Sequence, residues 1–578
     1  MAVQYGKNAA RSFGLALGRK RRVRGALGRF CRDDEGSLII FSVYILVLIL
    51  MVAGIGIDLM RFERDRAELQ YTLDRAVLAA ADLEQTLDPA SVVQDYFDKA
   101  GLGEYLTGTQ VSEGLGYRTV SATARTEVKT QFMHMTGLDM ITAPAAGTAE
   151  ERIDGVEISL VLDVSGSMNS NSRLYNLKIA ARDFIDTMVD NTEDGKMSIS
   201  IIPYATQVSM PSSFINRLTT TGVNPYSNCI NFSASDFNDT AVTTTQTLER
   251  SMHFDPWTSG SSDSRDGRYS SPSALVKQPV CEAMSSREML IMQKDRTILK
   301  NFISNLSAGG NTSIDIGMKW GTALVDPAMR PVFAAMAGEG TIPADFAARP
   351  LNYDDQDILK VIVLMSDGEN TSQYYIRPGY DGLSNIWWNP DVKEYSVWVP
   401  EYGKFYWPHN SNSSYDRWAD HAYGQPYGDN GYGQSANSCV SSTNSVSSSY
   451  SCKNRTETGT SVRLSYSELW ARTPLAVNVD KNYDPWMNDS TAQNTWNYGV
   501  RGEVNSSSKN SRTHAICEAA KAKDVIVFTI GFEAPYNGRT VLKDCASSDA
   551  HYFDVNGLEI SEAFASIATS IRKLRLTQ

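Results

Sequence analysis

The chain has 578 residues, of which 42% are hydrophobic and 21% charged, with a formal net charge of −12. Such a length holds two or more domains. Residues 1–36 carry nine Lys/Arg against Asp33, Asp34 and Glu35, so this arm is +6 and the remainder −18. Because the arm abuts an apolar segment, it reads as a topology determinant touching anionic lipid and excludes a nucleic-acid tail.

From Leu38 to Ile57 twenty residues pass without a charge. At 1.5 Å per residue they span about 30 Å, the thickness of a bilayer core. Asp58-Leu59-Met60-Arg61 continues as helix where a cleaved signal peptide would show small residues. The positive flank is N-terminal, so the arm is expected in the cytoplasm and everything after residue 58 outside. Residues 37–58 are thus a single-pass membrane helix, prolonged over 59–84 by a stripe of Leu69, Leu73, Ala76, Val77 and Ala80 at about one per turn. Residues 85–150 read as a small α+β module: a helix (Ala90 to Lys99), then alternating stretches over Tyr117–Lys129 and Met140–Ala149.

Residues 151–578 read as one α/β domain, doubly wound around a mostly parallel sheet. Strands are expected at 156–162, 197–205, 358–365, 525–530 and 551–553, with helices at 174–189, 294–306, 314–324 and 557–574. Two long insertions, about 207–285 and 371–511, interrupt it. The second holds eight of the ten tryptophans, interleaved with Tyr, Asn, Ser and Gly. Two readings stay open for it: a recognition surface for protein or carbohydrate, or aromatics packing a small irregular core.

Six cysteines lie beyond the membrane segment: Cys229, Cys281, Cys439, Cys452, Cys517 and Cys545. An even number in an oxidising compartment suggests disulfides, and six permit fifteen connectivities. The pairing expected is 229–281, 439–452 and 517–545, with buried free thiols as the alternative. Cys31 falls in the arm, and the absence of CxxC, HExxH or clustered Cys/His spacing argues against zinc.

The chemistry concentrates at Asp163-Val164-Ser165-Gly166-Ser167, directly after the apolar run Val156–Leu162. A carboxylate and two hydroxyls at alternate positions converge above the carboxyl edge of a sheet, where open α/β sheets bind ligands. Hard oxygen ligands suit Mg²⁺ or Mn²⁺. The pentapeptide resembles the first segment of a metal-ion-dependent adhesion site in a von Willebrand factor A domain. That family also supplies a Thr and a strand-end Asp, and the resemblance places these at Thr312, within Gly309-Gly310-Asn311-Thr312-Ser313, and at Asp367, after Ile358–Met365. It implies a cation held by Asp163, Ser165, Ser167, Thr312 and Asp367, with an acidic side chain of a protein partner completing the coordination.

The basic arm, the Gly36-Ser37 entry to the span and the Ala-rich helix (Leu69 to Ala81) resemble the N-terminal region of TadG-like proteins of tight-adherence (Flp) pilus assembly. The resemblance implies a component of pilus assembly or anchoring in a bacterial inner membrane, its C-terminal domain periplasmic and its partners pilus-assembly proteins. A surface adhesin gripping host or matrix ligands is one alternative, and a structural envelope protein with a non-functional metal site another. No enzyme is expected: GxSxG and P-loop motifs are absent, and Ser165 stands where a phosphatase of the Asp-nucleophile type has a second Asp.

Overall fold

The computed structural model describes residues 36–574, apart from 83–84, 86, 115–116, 153–154, 223, 283, 356–357, 409–417, 425–434 and 442–450. The basic arm and Cys31 lie outside these residues. The chain divides into two compact units, one formed mainly by residues up to 150 and the other mainly by residues 151–578.

The first unit is organised by α1 (Gly36–Ala81), a single uninterrupted helix of 46 residues. From Leu38 to Leu50 its side chains are exposed on all sides, and the helix is long and apolar enough to cross a membrane. Farther on, Leu69, Leu73, Ala76, Val77 and Ala80 are buried. They pack with Val92, Val93 and Phe97 of α2 (Pro89–Lys99) and with Val120, Ala122, Ala124 and Ala145. Alanines on both sides let the helix backbone approach the sheet closely. Asp88 caps α2 by accepting the Ser91 N–H at 2.9 Å. The sheet has three strands, β1 (Leu106–Gly114), β2 (Tyr117–Lys129) and β3 (Met140–Arg152), in sequential order. The sequence reading contained only two of them. β1 went unread because its sequence, Leu-Thr-Gly-Thr-Gln-Val-Ser-Glu-Gly, offers little apolar alternation.

The second unit is mixed α/β. Its main sheet contains β4 (Gly155–Asp163), β5 (Met197–Tyr204), β6 (Leu290–Gln293), β7 (Ile358–Ser366), β8 (Ile526–Phe532) and β9 (Tyr552–Val555). Across the sheet the order is β9-β8-β7-β4-β5-β6, parallel throughout except for antiparallel β6 at the edge. Each central strand divides its side chains between two cores. Ile158, Leu160 and Leu162 face α3 (Arg173–Asp190), α4 (Arg296–Asn305) and the C-terminal helix Glu559–Leu574. Val161, Ile202 and Leu364 face α5 (Ile314–Ala323), α6 (Ser506–Lys521) and α7 (Tyr536–Cys545). The sequence reading contained neither α6, whose start it placed in the second insertion, nor α7, where Pro535 and Gly538 interrupt the helical pattern.

The two insertions share a core. Phe254 and Val280 of the first pack with Trp388, Tyr395, Trp418 and Trp470 of the second. Asp266 accepts hydrogen bonds from Tyr395 Oη at 2.7 Å and Thr473 Oγ1 at 3.2 Å. Much of the second insertion is a seven-stranded sheet with antiparallel pairing, more regular than the packing reading supposed. All eight of its tryptophans are buried or half-buried, so these aromatics hold the module together rather than face solvent.

Disulfides join Cys229 to Cys281 and Cys517 to Cys545. The side chains of Cys439 and Cys452 lie outside the described residues, while the backbone register sets the two directly opposite on adjacent strands. Beside the first disulfide, buried His253 bonds the Cys281 carbonyl at 3.0 Å. Burial lowers its pKa from 6.5 to about 4. The unfolded chain therefore takes up a proton first as the pH falls, so stability is undiminished above 6.5 and declines from there toward 4. Measured relative to a His253→Leu variant, which lacks the imidazole so that other titrating groups cancel, urea midpoints at pH 7 and pH 5 should show this decline, with a slope of up to about 1.4 kcal/mol per pH unit.

Candidate functional site

β4 and β7 lie side by side in parallel, so the residues that follow them emerge at the same carboxyl edge. Asp163 ends β4 and is fully buried. Its Oδ1 accepts the Ser165 N–H at 2.8 Å and its Oδ2 accepts the Ser366 hydroxyl at 2.6 Å. Ser165 Oγ stands 3.0 Å from Ser167 Oγ, which donates to Asp367 Oδ1 at 2.8 Å. Thr312 joins them: a Cβ built on Gly368 would lie 3.5 Å from Thr312 Oγ1 and 3.9 Å from Ser167 Oγ. The structure thus brings together all five residues named from the sequence.

Backbone contacts bring the Thr312 loop to that place. Gly166 N–H donates to the Gly310 carbonyl and Gly309 N–H to the Val164 carbonyl, both at 2.9 Å. Gly310 has φ +78°, and a Cβ there would lie 2.9 Å from Thr206 Oγ1, so glycine suits both its conformation and its space. On the other flank the Thr312 N–H donates to Thr371 Oγ1 at 3.0 Å. Buried Lys509 of α6 donates to the Thr312 carbonyl at 2.7 Å, Ser313 Oγ at 2.6 Å and the Thr371 carbonyl at 2.8 Å. Burial pushes its pKa down to about 8.

Three supporting residues escaped the sequence reading: Lys509, Ser366 and Arg173. Arg173 donates to Asp367 Oδ2 and to Glu533 Oε2, each at 2.8 Å. One oxygen of Asp367 is thereby held by the guanidinium while the other faces the serines. Burial, then the neighbouring Asp367 charge, raises the Asp163 pKa to about 7. Burial also raises Asp367, against the opposing pull of Ser167 and Arg173. Ionising both buried carboxylates together is unfavourable, and Arg173 offsets part of that charge at Asp367.

The side chains fit a hard divalent ion. Octahedral Mg²⁺ with ligands at 2.0–2.1 Å sets neighbouring ligand oxygens about 2.9 Å apart. The Ser165–Ser167 and Ser167–Asp367 separations, 3.0 and 2.8 Å, match that spacing. Among the described residues no group of three or more His, Cys, Asp or Glu is poised for a metal; the cluster at Asp163 brings two carboxylates and three hydroxyls.

Comparison with known proteins bears on the N-terminal part. Residues 36–83 match the family model "Putative Flp pilus-assembly TadE/G-like" (Tad). The N-terminal segment is TadE/G-like. This bears out the resemblance read there, and the matched residues of the TadE/G-like segment coincide with α1 and the two positions after it. No curated protein matches the chain significantly. Among solved structures, the pilus adhesin SpaC from Lactobacillus rhamnosus GG is similar at 13% identity and TM-score 0.26, over 80% of this chain and 33% of SpaC. This chain therefore spans about a third of that protein. The vWF domain of the type V pili tip protein Mfa5 from Porphyromonas gingivalis is similar at 14% identity and TM-score 0.29, over 72% of this chain and 95% of that one. The PilB minor pilin from Streptococcus sanguinis is similar at 11% identity and TM-score 0.26, over 81% of this chain and 78% of PilB.

Proposed function

We propose that this chain is a membrane-anchored component of Flp/Tad pilus assembly or anchoring, held in the inner membrane with its C-terminal unit in the periplasm. In this reading the unit is a von Willebrand A-like, doubly wound domain that binds an acidic side chain of a pilus-assembly partner through Mg²⁺ or Mn²⁺. One observation carries the reading: Asp163, Ser165, Ser167, Thr312 and Asp367 gather from three loops at one sheet edge, with Ser167 Oγ 3.0 Å from Ser165 Oγ and 2.8 Å from Asp367 Oδ1. The cation supplies positive charge that a partner carboxylate can neutralise. The chain's own part is to hold five oxygens in place, through Ser366 and Arg173 on the carboxylates and Lys509 on the Thr312 loop.

Binding is favoured over catalysis by the hydrogen bonds already in place. Both Asp163 oxygens are engaged by Ser165 and Ser366, and both Asp367 oxygens by Ser167 and Arg173, so neither is placed as a general base. Hydrolase and phosphatase assays on the purified protein should show no turnover with Mg²⁺. The deciding experiment is co-purification of pilus-assembly proteins with the detergent-solubilised chain, in Mg²⁺ and in chelator. Partner recovery should depend on Mg²⁺ and be lost in Asp163→Ala and Asp367→Ala. Recovery unaffected by chelator and by both substitutions would rule the mechanism out.

A further inference from the structure

The turn between β2 and β3 lies against α1 at a telling height. A Cβ added to Gly54 would fall 2.2 Å from the Phe132 ring, so Phe132 rests on the helix backbone there. Gly54 belongs to the uncharged run Leu38–Ile57, about 4.5 Å along the axis from the end of that run. One turn farther, buried Asp58 accepts the backbone N–H groups of Gln131, Phe132 and Met133 at 3.0, 2.7 and 2.8 Å. The turn is thus clamped where the apolar stretch meets the first charge. Met135 and Leu138 on the same turn, and Met140 where β3 begins, are 65%, 45% and 50% exposed. Of its titratable side chains, His134 and Asp139 pair with each other. Just beyond the turn, Arg61 reaches the Lys129 carbonyl, so basic groups adjoin the apolar tip.

We propose that this turn, residues 131–140, is a second membrane contact. It seats Met135, Leu138 and Met140 at the headgroup–acyl boundary of the bilayer that α1 crosses, with Arg61 and Lys129 at headgroup level. The proposal rests on reading α1 as a membrane span. The occupant is lipid because the patch continues the lipid-facing surface of the helix: a turn seated on Gly54 reaches the level of the hydrocarbon edge. Three exposed apolar side chains there gain by burial in the interface. The three N–H bonds to Asp58 satisfy the carboxylate at a depth where an unpaired charge is costly.

The test uses the full chain in phosphatidylcholine/phosphatidylglycerol vesicles, with Cys31→Ser as background and the unmutated background measured in parallel. Met135→Cys, Leu138→Cys, Ile49→Cys and Arg125→Cys are each labelled with an environment-sensitive dye and quenched by lipids spin-labelled near the headgroup or deep in the acyl chain, or by aqueous iodide. Dyes at positions 135 and 138 should be quenched by the lipid and protected from iodide, whereas one at 125 behaves oppositely. Adding Gly54→Leu, which displaces Phe132, should reduce lipid quenching at 135 and leave 49 unchanged. Lipid quenching at 49 without any at 135 and 138 would overturn the proposal while the span stands. Protection of 135 from both quenchers would mean that protein covers the turn, and would also overturn it. Absence of lipid quenching at 49 would remove the span itself, and the proposal with it.

Discussion

Replacing Asp163 by Asn should abolish stabilisation by Mg²⁺ while leaving the fold intact. In the wild type, Mg²⁺ at a hundredfold its dissociation constant should raise unfolding free energy by about 2.7 kcal/mol, the linkage expected of a ligand that binds only the folded state. The Asn side chain can still accept the Ser165 N–H through Oδ1 and can donate Nδ2–H to the Ser366 hydroxyl oxygen, so the loop keeps its shape. What it lacks is charge. Because burial and Asp367 raise the Asp163 carboxyl to about 7, the ionised form weighs against the folded state once the pH exceeds the ordinary value of 3.8. In chelator at neutral pH the Asn variant should therefore melt at or above the wild-type temperature. Excess Mg²⁺ should raise the melting temperature of the wild type and leave that of the Asn variant unchanged. A variant that still gains stability from Mg²⁺ as the wild type does would show that the cation binds elsewhere.

The second large effect is expected at Trp418. Its side chain is 1% exposed, with ring centroids 5.5 Å from Tyr402, 5.3 Å from Tyr406 and 5.5 Å from Trp486. Trp418→Ala should cost about 3–5 kcal/mol, the usual loss when a large buried aromatic leaves a cavity. Phe254 and Val280 share this core with the second insertion, so the damage should not stay in one segment. Limited proteolysis of the variant should open cleavage sites in both insertions together, ahead of the main sheet. Cleavage confined to residues 371–511 would mean that the two insertions do not fold as one module.

What the sequence disclosed follows from how far apart the interacting residues lie. The run Val156–Leu162 is apolar at five of its seven positions because both faces of its strand are buried, and the polar triad after it marks the carboxyl edge. Both features are local, so β4 and the Asp163 loop were legible. Thr312 and Asp367 were reached only through the resemblance to a known motif. The groups that fix these ligands have no local signature: Arg173 meets Asp367 across 194 residues, Ser366 meets Asp163 across 203, and Lys509 meets Thr312 across 197. The shared core of the insertions was hidden for the same reason. Tyr395 and Asp266 are 129 residues apart, and neither marks the other in sequence. β1 shows a different limit: a strand with few apolar side chains is made by its neighbours, not by its own pattern.

The continuity of α1 has a mechanical consequence. No turn or glycine-rich joint interrupts the helix between Asp58 and Ala81, a stretch that rises about 36 Å at 1.5 Å per residue. A pull on this first unit is carried as axial tension along one ladder of backbone hydrogen bonds, with no slack to take up before the anchor feels it. In the anchoring role proposed above, the post and its foot would respond to load as a single lever.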